Sequence, residues 1–135
     1  MASVVADTHA LIWYILYPEK LSSKALFALR QAANQEDSSI YLSAISIVEI
    51  GYLVEKYRLP EVVWTLLNEA INDDETGIIV TPVDSDIGFA IRRIARASVP
   101  DMPDRIIAAT ALHLNLPLIS RDEKILKLTE IETIW

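Results

Sequence analysis

The sequence predicts an α/β domain with a mainly parallel sheet and helices on both faces. Three observations predict it. Short apolar runs alternate with longer amphipathic stretches, the pattern of strand–helix–strand units. Hydrophobic residues make up 52% of 135 residues, enough for the core of one ordinary domain spanning 1–135. No repeat, low-complexity tract or Gly/Ser linker divides the chain.

The elements follow in order. "SVVAD", Ser3 to Asp7, reads as a short buried strand, with a helix beginning near Thr8. "SSKALFALRQAANQ" reads as a helix with Ser22 or Ser23 as N-cap. "SIYLSA", Ser39 to Ala44, is the second strand. It leads into the helix "AISIVEIGYLVEKY", where Ser46 and Glu49 have capping-box spacing. "PEVVWTLLNEAIND" starts with Pro60, favourable at a first helical position. "GIIVTPV", Gly77 to Val83, is the third strand. "DSDIGFAIRRIARAS" places Ile87, Ala90, Ile91, Ile94 and Ala95 on one helical face. In "DMPDRIIAATAL" Asp101 is the expected N-cap, with Pro103 in the first turn. Asn115 followed by Pro117 signals a helix stop, then the strand "LPLIS", Leu116 to Ser120. "IETI", Ile131 to Ile134, is a weak fifth strand.

Composition excludes several chemistries. There is no cysteine, hence no disulfide, thiolate zinc site or cysteine nucleophile. The 2 histidines, His9 and His113, are far apart, so no histidine pair has helical zinc-binding spacing; both are read as structural. The 3 glycines form no phosphate-cradling loop. The longest apolar run, Ala10 to Tyr17, is too short to span a bilayer and follows no signal-peptide pattern, so a cytoplasmic protein is expected. A formal charge of −7 favours a cation site or a basic protein partner over nucleic acid. The arginines are unevenly spread, however, which weakens that veto.

Acids mark the positions where a parallel sheet places ligands, beyond strand C-termini and near helix starts. Asp7 ends the first strand, Glu49 follows the second, Asp104 opens an apolar helix and Asp122 follows the fourth strand. Each taken singly is a helix cap, which contributes only ~1 kcal/mol and could equally come from Ser, Thr or Asn. Acids at all these edges repel one another, by roughly 4 kcal/mol for a pair ~4 Å apart at an effective dielectric of about 20. A hard divalent cation such as Mg²⁺ or Mn²⁺ reverses that sign and suits phosphate-ester hydrolysis.

"VVADTHALIW", "LSAISIVEI", "DMPDRIIAATAL" and "PLISRDEKI" occur in order over nearly the whole chain, down to Trp135. Together they resemble the PIN-domain ribonucleases, specifically VapC-type toxins of toxin–antitoxin pairs. The resemblance implies a three-layer α/β/α sandwich and hydrolysis of RNA by a water activated by Mg²⁺ or Mn²⁺. Asp7 and Asp104 are then the principal metal ligands, with Glu49 and Asp122 contributing directly or through water. Thr8 and Ser120 match hydroxyl positions beside the acids. Asp101 matches the first acid of a "DPFDR" motif that here reads "DMPDR", so it ranks below Asp104. The implied partners are an RNA substrate, an antitoxin whose tail crosses the site, and a second copy of the chain.

Arg105 and Arg121 adjoin the acids and suit substrate contact or an ion pair with a neighbour. Arg92, Arg93 and Arg96 fit a solvated helix face or, as a minority reading, an RNA-backbone contact. Trp13, Tyr14 and Tyr17 suit a core or partner groove, and Tyr52 and Leu53 are assigned to the same apolar surface. A catalytically silent PIN-like binding module is the alternative. A receiver-type signalling domain fits less well, lacking paired acids at the first strand end and a lysine after the last strand.

Overall fold

The computed structural model describes residues 2–135. Five strands form one sheet, β1 (Val4–Ala6), β2 (Ile40–Ser43), β3 (Ile78–Thr81), β4 (Leu118–Ile119) and β5 (Thr133–Ile134), in the order β3-β2-β1-β4-β5. All four pairings are parallel. Seven α-helices flank the sheet: α1 (Thr8–Leu16), α2 (Ser23–Asn34), α3 (Ala44–Glu55), α4 (Glu61–Asn72), α5 (Ser85–Ala90), α6 (Met102–Leu114) and α7 (Glu123–Leu126). Among the described residues no helix is long and apolar enough to cross a membrane.

The strands alternate in side-chain direction and so divide the interior into two cores. Val4, Ala6, Ile40, Leu42 and Ile119 meet α1 to α4 through Leu11, Leu29, Ile50 and Leu67. Val5 and Leu118 face the other way, against Ile87 of α5, Ile107 and Ala108 of α6, and Ile125 of α7. The result is the three-layer α/β/α sandwich. Because the chain steps from β1 outward through β2 to β3 and then crosses back to β4, the direction of winding reverses between β1 and β4. That reversal opens a crevice at the C-terminal ends of these two strands, where Asp7 and Asp122 stand.

Local signals explain most boundaries. Ser22 caps α2, its hydroxyl accepting from the Ala25 N–H at 3.0 Å. Asp101 caps α6 with Pro103 in its first turn, and Asn115 ends that helix in the left-handed conformation, φ 55°. Three expectations are corrected. Pro60 is the N-cap residue of α4, one position before the first helical residue. Helix α3 starts at Ala44 with Ser43 as its cap, so Ser46 and Glu49 lie inside the helix and form no capping box. The stretch from Asp84 to Ser98 is not one helix: α5 ends at Ala90, and a 3-10 turn over Ile91–Arg93 follows. Ile94 is buried and extended there, and its carbonyl accepts from Arg105 Nε at 2.8 Å, while Ala95 is exposed. Ile87, Ala90 and Ile94 are buried as the periodicity expects, while the backbone leaves the helix at Ile94, whose carbonyl is taken up by Arg105.

Gly77 turns the chain into β3 at φ 71°, and its carbonyl accepts from the Ile40 N–H at 2.8 Å, setting the register of β2 and β3. A Cβ at Gly77 meets the Ala33 backbone at 2.9 Å, whereas one at Gly88 meets nothing within 4 Å. Gly77→Ala is therefore expected to cost more than ~1 kcal/mol, from left-handed strain plus overlap. Gly88→Ala, in a helix, is expected to gain up to ~1 kcal/mol. Urea unfolding of both variants checks the opposite signs.

Candidate active site

Asp7 is the anchor. It follows β1, is 3% exposed, and its N–H donates to Ile119 O at 2.9 Å, extending the β1–β4 pairing by one step. Its carboxylate accepts from the Thr8 N–H at 2.8 Å and from the Ser120 hydroxyl at 2.6 Å. Ser120 is fully buried and also accepts from the Asp122 N–H at 3.1 Å. One hydroxyl thus ties together the acids at the ends of β1 and β4. Charge-assisted bonds of this length fix a carboxylate's orientation.

Glu49 projects from α3 toward the same edge. The Thr8 hydroxyl donates to Glu49 Oε1 at 2.7 Å and lies 2.8 Å from the Ser46 hydroxyl. Thr8 has a single hydroxyl proton, so once that proton goes to Glu49 the bond between Thr8 and Ser46 is made by the Ser46 proton. Ser46 and Glu49 are thus coupled as the sequence spacing suggests, but through Thr8 and across 38 to 41 residues rather than as a helix cap. Burial pushes the Glu49 carboxyl up; the Thr8 bond opposes this, and Asp7 and Asp101 add to it.

Asp104 lies in the first turn of α6, half-buried. Burial, then the charges of Asp7, Asp101, Asp122 and Glu49, push its carboxyl up to about 7 from 3.8. All five acids therefore act on one region, and among the described residues no Lys or Arg offsets them at Asp104. Asp101 is the cap of this helix, accepting from the Asp104 N–H at 3.1 Å, and its charge adds to the repulsion at Asp104. Asp122 caps α7, accepting from the Lys124 and Ile125 N–H groups at 2.9 and 3.0 Å. Among the described residues no three acidic or histidine side chains converge as a ready-made metal cage. The acids share an electrostatic field while their side chains stand apart.

Neither Arg105 nor Arg121 pairs with an acid among the described residues. Arg105 is spent on Ile94 O, which fastens the segment after the 3-10 turn to the first turn of α6. The Arg121 guanidinium lies over the Trp13 ring, 4.6 Å from its centroid, and the Arg121 N–H donates to His9 Nε2 at 3.2 Å. Arg92, Arg93 and Arg96 are exposed on and after the 3-10 turn. Tyr52 and Leu53 line a groove of about 410 Å³ with Val48, Glu49 and Met102. Trp13, Tyr14 and Tyr17 do not enter it, which separates the two apolar surfaces read as one.

His9, expected to be structural, borders the anchor acid. Its Nδ1 lies 3.5 Å from Asp7 Oδ2. Because Nε2 accepts from the backbone, the ring is neutral with its proton on Nδ1. Burial lowers its pKa, Asp7 opposes that, Arg121 adds to it, and Asp122 opposes it. Its spacing two residues after Asp7 was the available signal. His113 is exposed at the far end of α6.

With this arrangement established, relatives can be compared. "Ribonuclease VapC22" of Mycobacterium tuberculosis is 26% identical over 130 residues, covering 93% of this chain and 91% of the relative. The VapBC2 structure from Rickettsia felis, bound to a promoter DNA fragment, superposes with a TM-score of 0.71 at 16% identity, over 96% of both chains. A toxin–antitoxin complex from Klebsiella pneumoniae superposes at 0.63 with 22% identity, over 96% of this chain and 95% of the other. FitAcB from Neisseria gonorrhoeae gives 0.61 at 20% identity over the same shares. The PIN domain profile matches residues 4–131, and the chain belongs to the PIN domain family.

Proposed function

We propose that this PIN domain is an endoribonuclease that uses a divalent cation, Mg²⁺ or Mn²⁺, to hydrolyse RNA, and that it is the toxin of a toxin–antitoxin pair. One observation carries the reading: Asp104 is pushed up to about 7 by burial and four neighbouring acids, with no protein cation in compensation. A chain gains nothing in stability from such a cluster, since capping alone needs no charge. A bound cation gives the cluster a purpose.

The donor set fits a hard cation, being oxygen only. Asp7 and Asp104 are the principal ligands in this reading, with Glu49 and Asp122 direct or through water. When bound, the ion supplies Lewis acidity toward water and phosphate oxygen. The chain's own residues hold the site ready. Ser120 and the Thr8 N–H lock the Asp7 carboxylate, and the Thr8 hydroxyl aims Glu49. Two backbone N–H groups hold Asp122.

RNA as the substrate is supported by the relative named a ribonuclease, and an antitoxin partner by the complexes named above. An acidic chain of charge −7 suits a basic antitoxin segment. A homodimer is proposed on the family resemblance, and a single domain over 1–135 on the shared sheet.

Asp104→Asn is expected to lower cleavage of a structured RNA in Mn²⁺ by roughly 100-fold or more, the order of losing one charged group from a catalytic site. Asp101→Asn keeps a capping side chain and is expected to retain most activity. Rates are compared after circular dichroism confirms folding. A dead Asp101→Asn beside an active Asp104→Asn reverses the assignment.

In cells, expression of the wild-type chain alone is expected to arrest growth and degrade RNA, and Asp7→Asn to do neither. Arrest that persists with folded Asp7→Asn protein places the toxicity elsewhere than at these acids.

A further inference from the structure

The acids repel any polyanion that approaches them, so a nuclease of this charge needs cations nearby to hold its substrate. The face of α1 beside the acid edge supplies them. The Arg121 guanidinium stacks on Trp13 at 4.6 Å. On the same ring system Lys20 Nζ lies 5.9 Å from Trp13 and 4.7 Å from Tyr17. Trp13 is itself held in place by His9 at 5.0 Å and Trp135 at 5.9 Å. The row starts at the acids: Arg121 follows Ser120, which bonds Asp7, and His9 bridges Arg121 N–H and Asp7. From Thr8 to Trp13 the helix rises about 7.5 Å, within reach of nucleotides flanking a phosphate at the acids.

The two cations are uncommitted. In a chain with 19 acids, Lys20 follows Glu19 and Arg121 precedes Asp122, yet neither cation pairs with a carboxylate among the described residues. Both cations lie against aromatic rings, which do not neutralise them. Exposed cations interleaved with aromatic rings are what single-stranded nucleic acid binds: cations track phosphates and ring faces or edges meet bases.

We propose that Arg121, Trp13, Lys20 and Tyr17 form a track that holds the single-stranded RNA flanking the bond to be cut, with Arg121 and Lys20 on phosphates. Arg121 and Trp13 are positioning residues here, acting on the substrate's path and not on the reacting atoms. The inference rests on the nuclease reading and deepens it.

The test uses a fluorescein-labelled single-stranded RNA of random sequence, bound to full-length protein in Mg²⁺ across a salt series. All proteins carry Asp104→Asn to prevent cleavage. Arg121→Met and Lys20→Met are each expected to weaken binding roughly three- to tenfold and to lower the slope of log Kd against log salt by about one. Arg121→Lys, which keeps the charge, is expected to restore most of the slope. A purely structural role for the stacked cation shifts melting but leaves the slope unchanged, and an unchanged slope in both Met variants overturns the track. So does retained RNA affinity combined with lost binding to a co-encoded protein partner, which assigns the face to a protein. Cleavage by the otherwise wild-type chain is read separately: its absence removes the nuclease reading itself.

Discussion

The constraint on which the structure turns is that several carboxylates bear on one another electrostatically, and among the described residues no Lys or Arg offsets them at Asp104. Repulsion of this kind scatters flexible side chains, and desolvation adds to the cost. The fold meets the constraint by spreading the acids over several rigid elements. Asp7 ends β1, Glu49 lies on α3, Asp104 opens α6 and Asp122 opens α7. The winding reversal between β1 and β4 opens a crevice at the ends that carry Asp7 and Asp122, and the charges of Glu49, Asp101, Asp7 and Asp122 all act on Asp104. Two cores pin the elements from opposite faces of the sheet, so the acids cannot relax by moving their backbones apart.

Hydrogen bonds then do the local work. Asp7, the most buried acid, has its carboxylate oriented by the Ser120 hydroxyl and the Thr8 N–H. Asp122 is stabilised by two N–H groups of α7. Asp104 accepts no comparable bond, and its carboxyl is the one pushed up to about 7. The site therefore separates its acids by environment: Asp7 and Asp122 accept donated hydrogen bonds, while burial and neighbouring acids push the Glu49 and Asp104 carboxyls up. The cations of the chain are kept at the rim, Arg121 over Trp13 and Arg105 on a backbone carbonyl.

Much of this was legible in the sequence because it is set locally. An acid ending a buried apolar run, as Asp7 does, or standing one residue after Ser120-Arg121, as Asp122 does, is placed by strand and cap alone. Asp101 was read correctly as a cap for the same reason. What stayed hidden depends on contacts between distant segments. The spacing of Ser46 and Glu49 imitates a capping box, and only the arrival of Thr8 from α1 gives it another meaning. The break after Ala90 coincides with a contact across 11 residues, Arg105 to Ile94 O, that no local pattern shows. The stacking of Arg121 on Trp13 joins the two ends of the chain, and no local pattern announces it.

The most direct test of the uncompensated acid site is chemical denaturation in the presence of a chelator, from pH 5 to pH 8, on wild type and Asp104→Asn. In the folded protein Asp104 holds its proton up to about 7, against 3.8 as an ordinary carboxyl. Between those values the native state binds more protons than the unfolded chain, so its stability falls as pH rises through the window and levels off above it. Asp104→Asn lacks this loss, and the difference between the two curves isolates it. His9 responds to Asp7, Arg121 and Asp122 rather than to Asp104, so it drops out of that difference. The wild-type curve is expected to decline relative to the variant toward pH 7, and millimolar Mn²⁺ to reverse that loss in the wild type more than in the variant. Parallel curves in chelator, with no differential response to Mn²⁺, would contradict the uncompensated acid site.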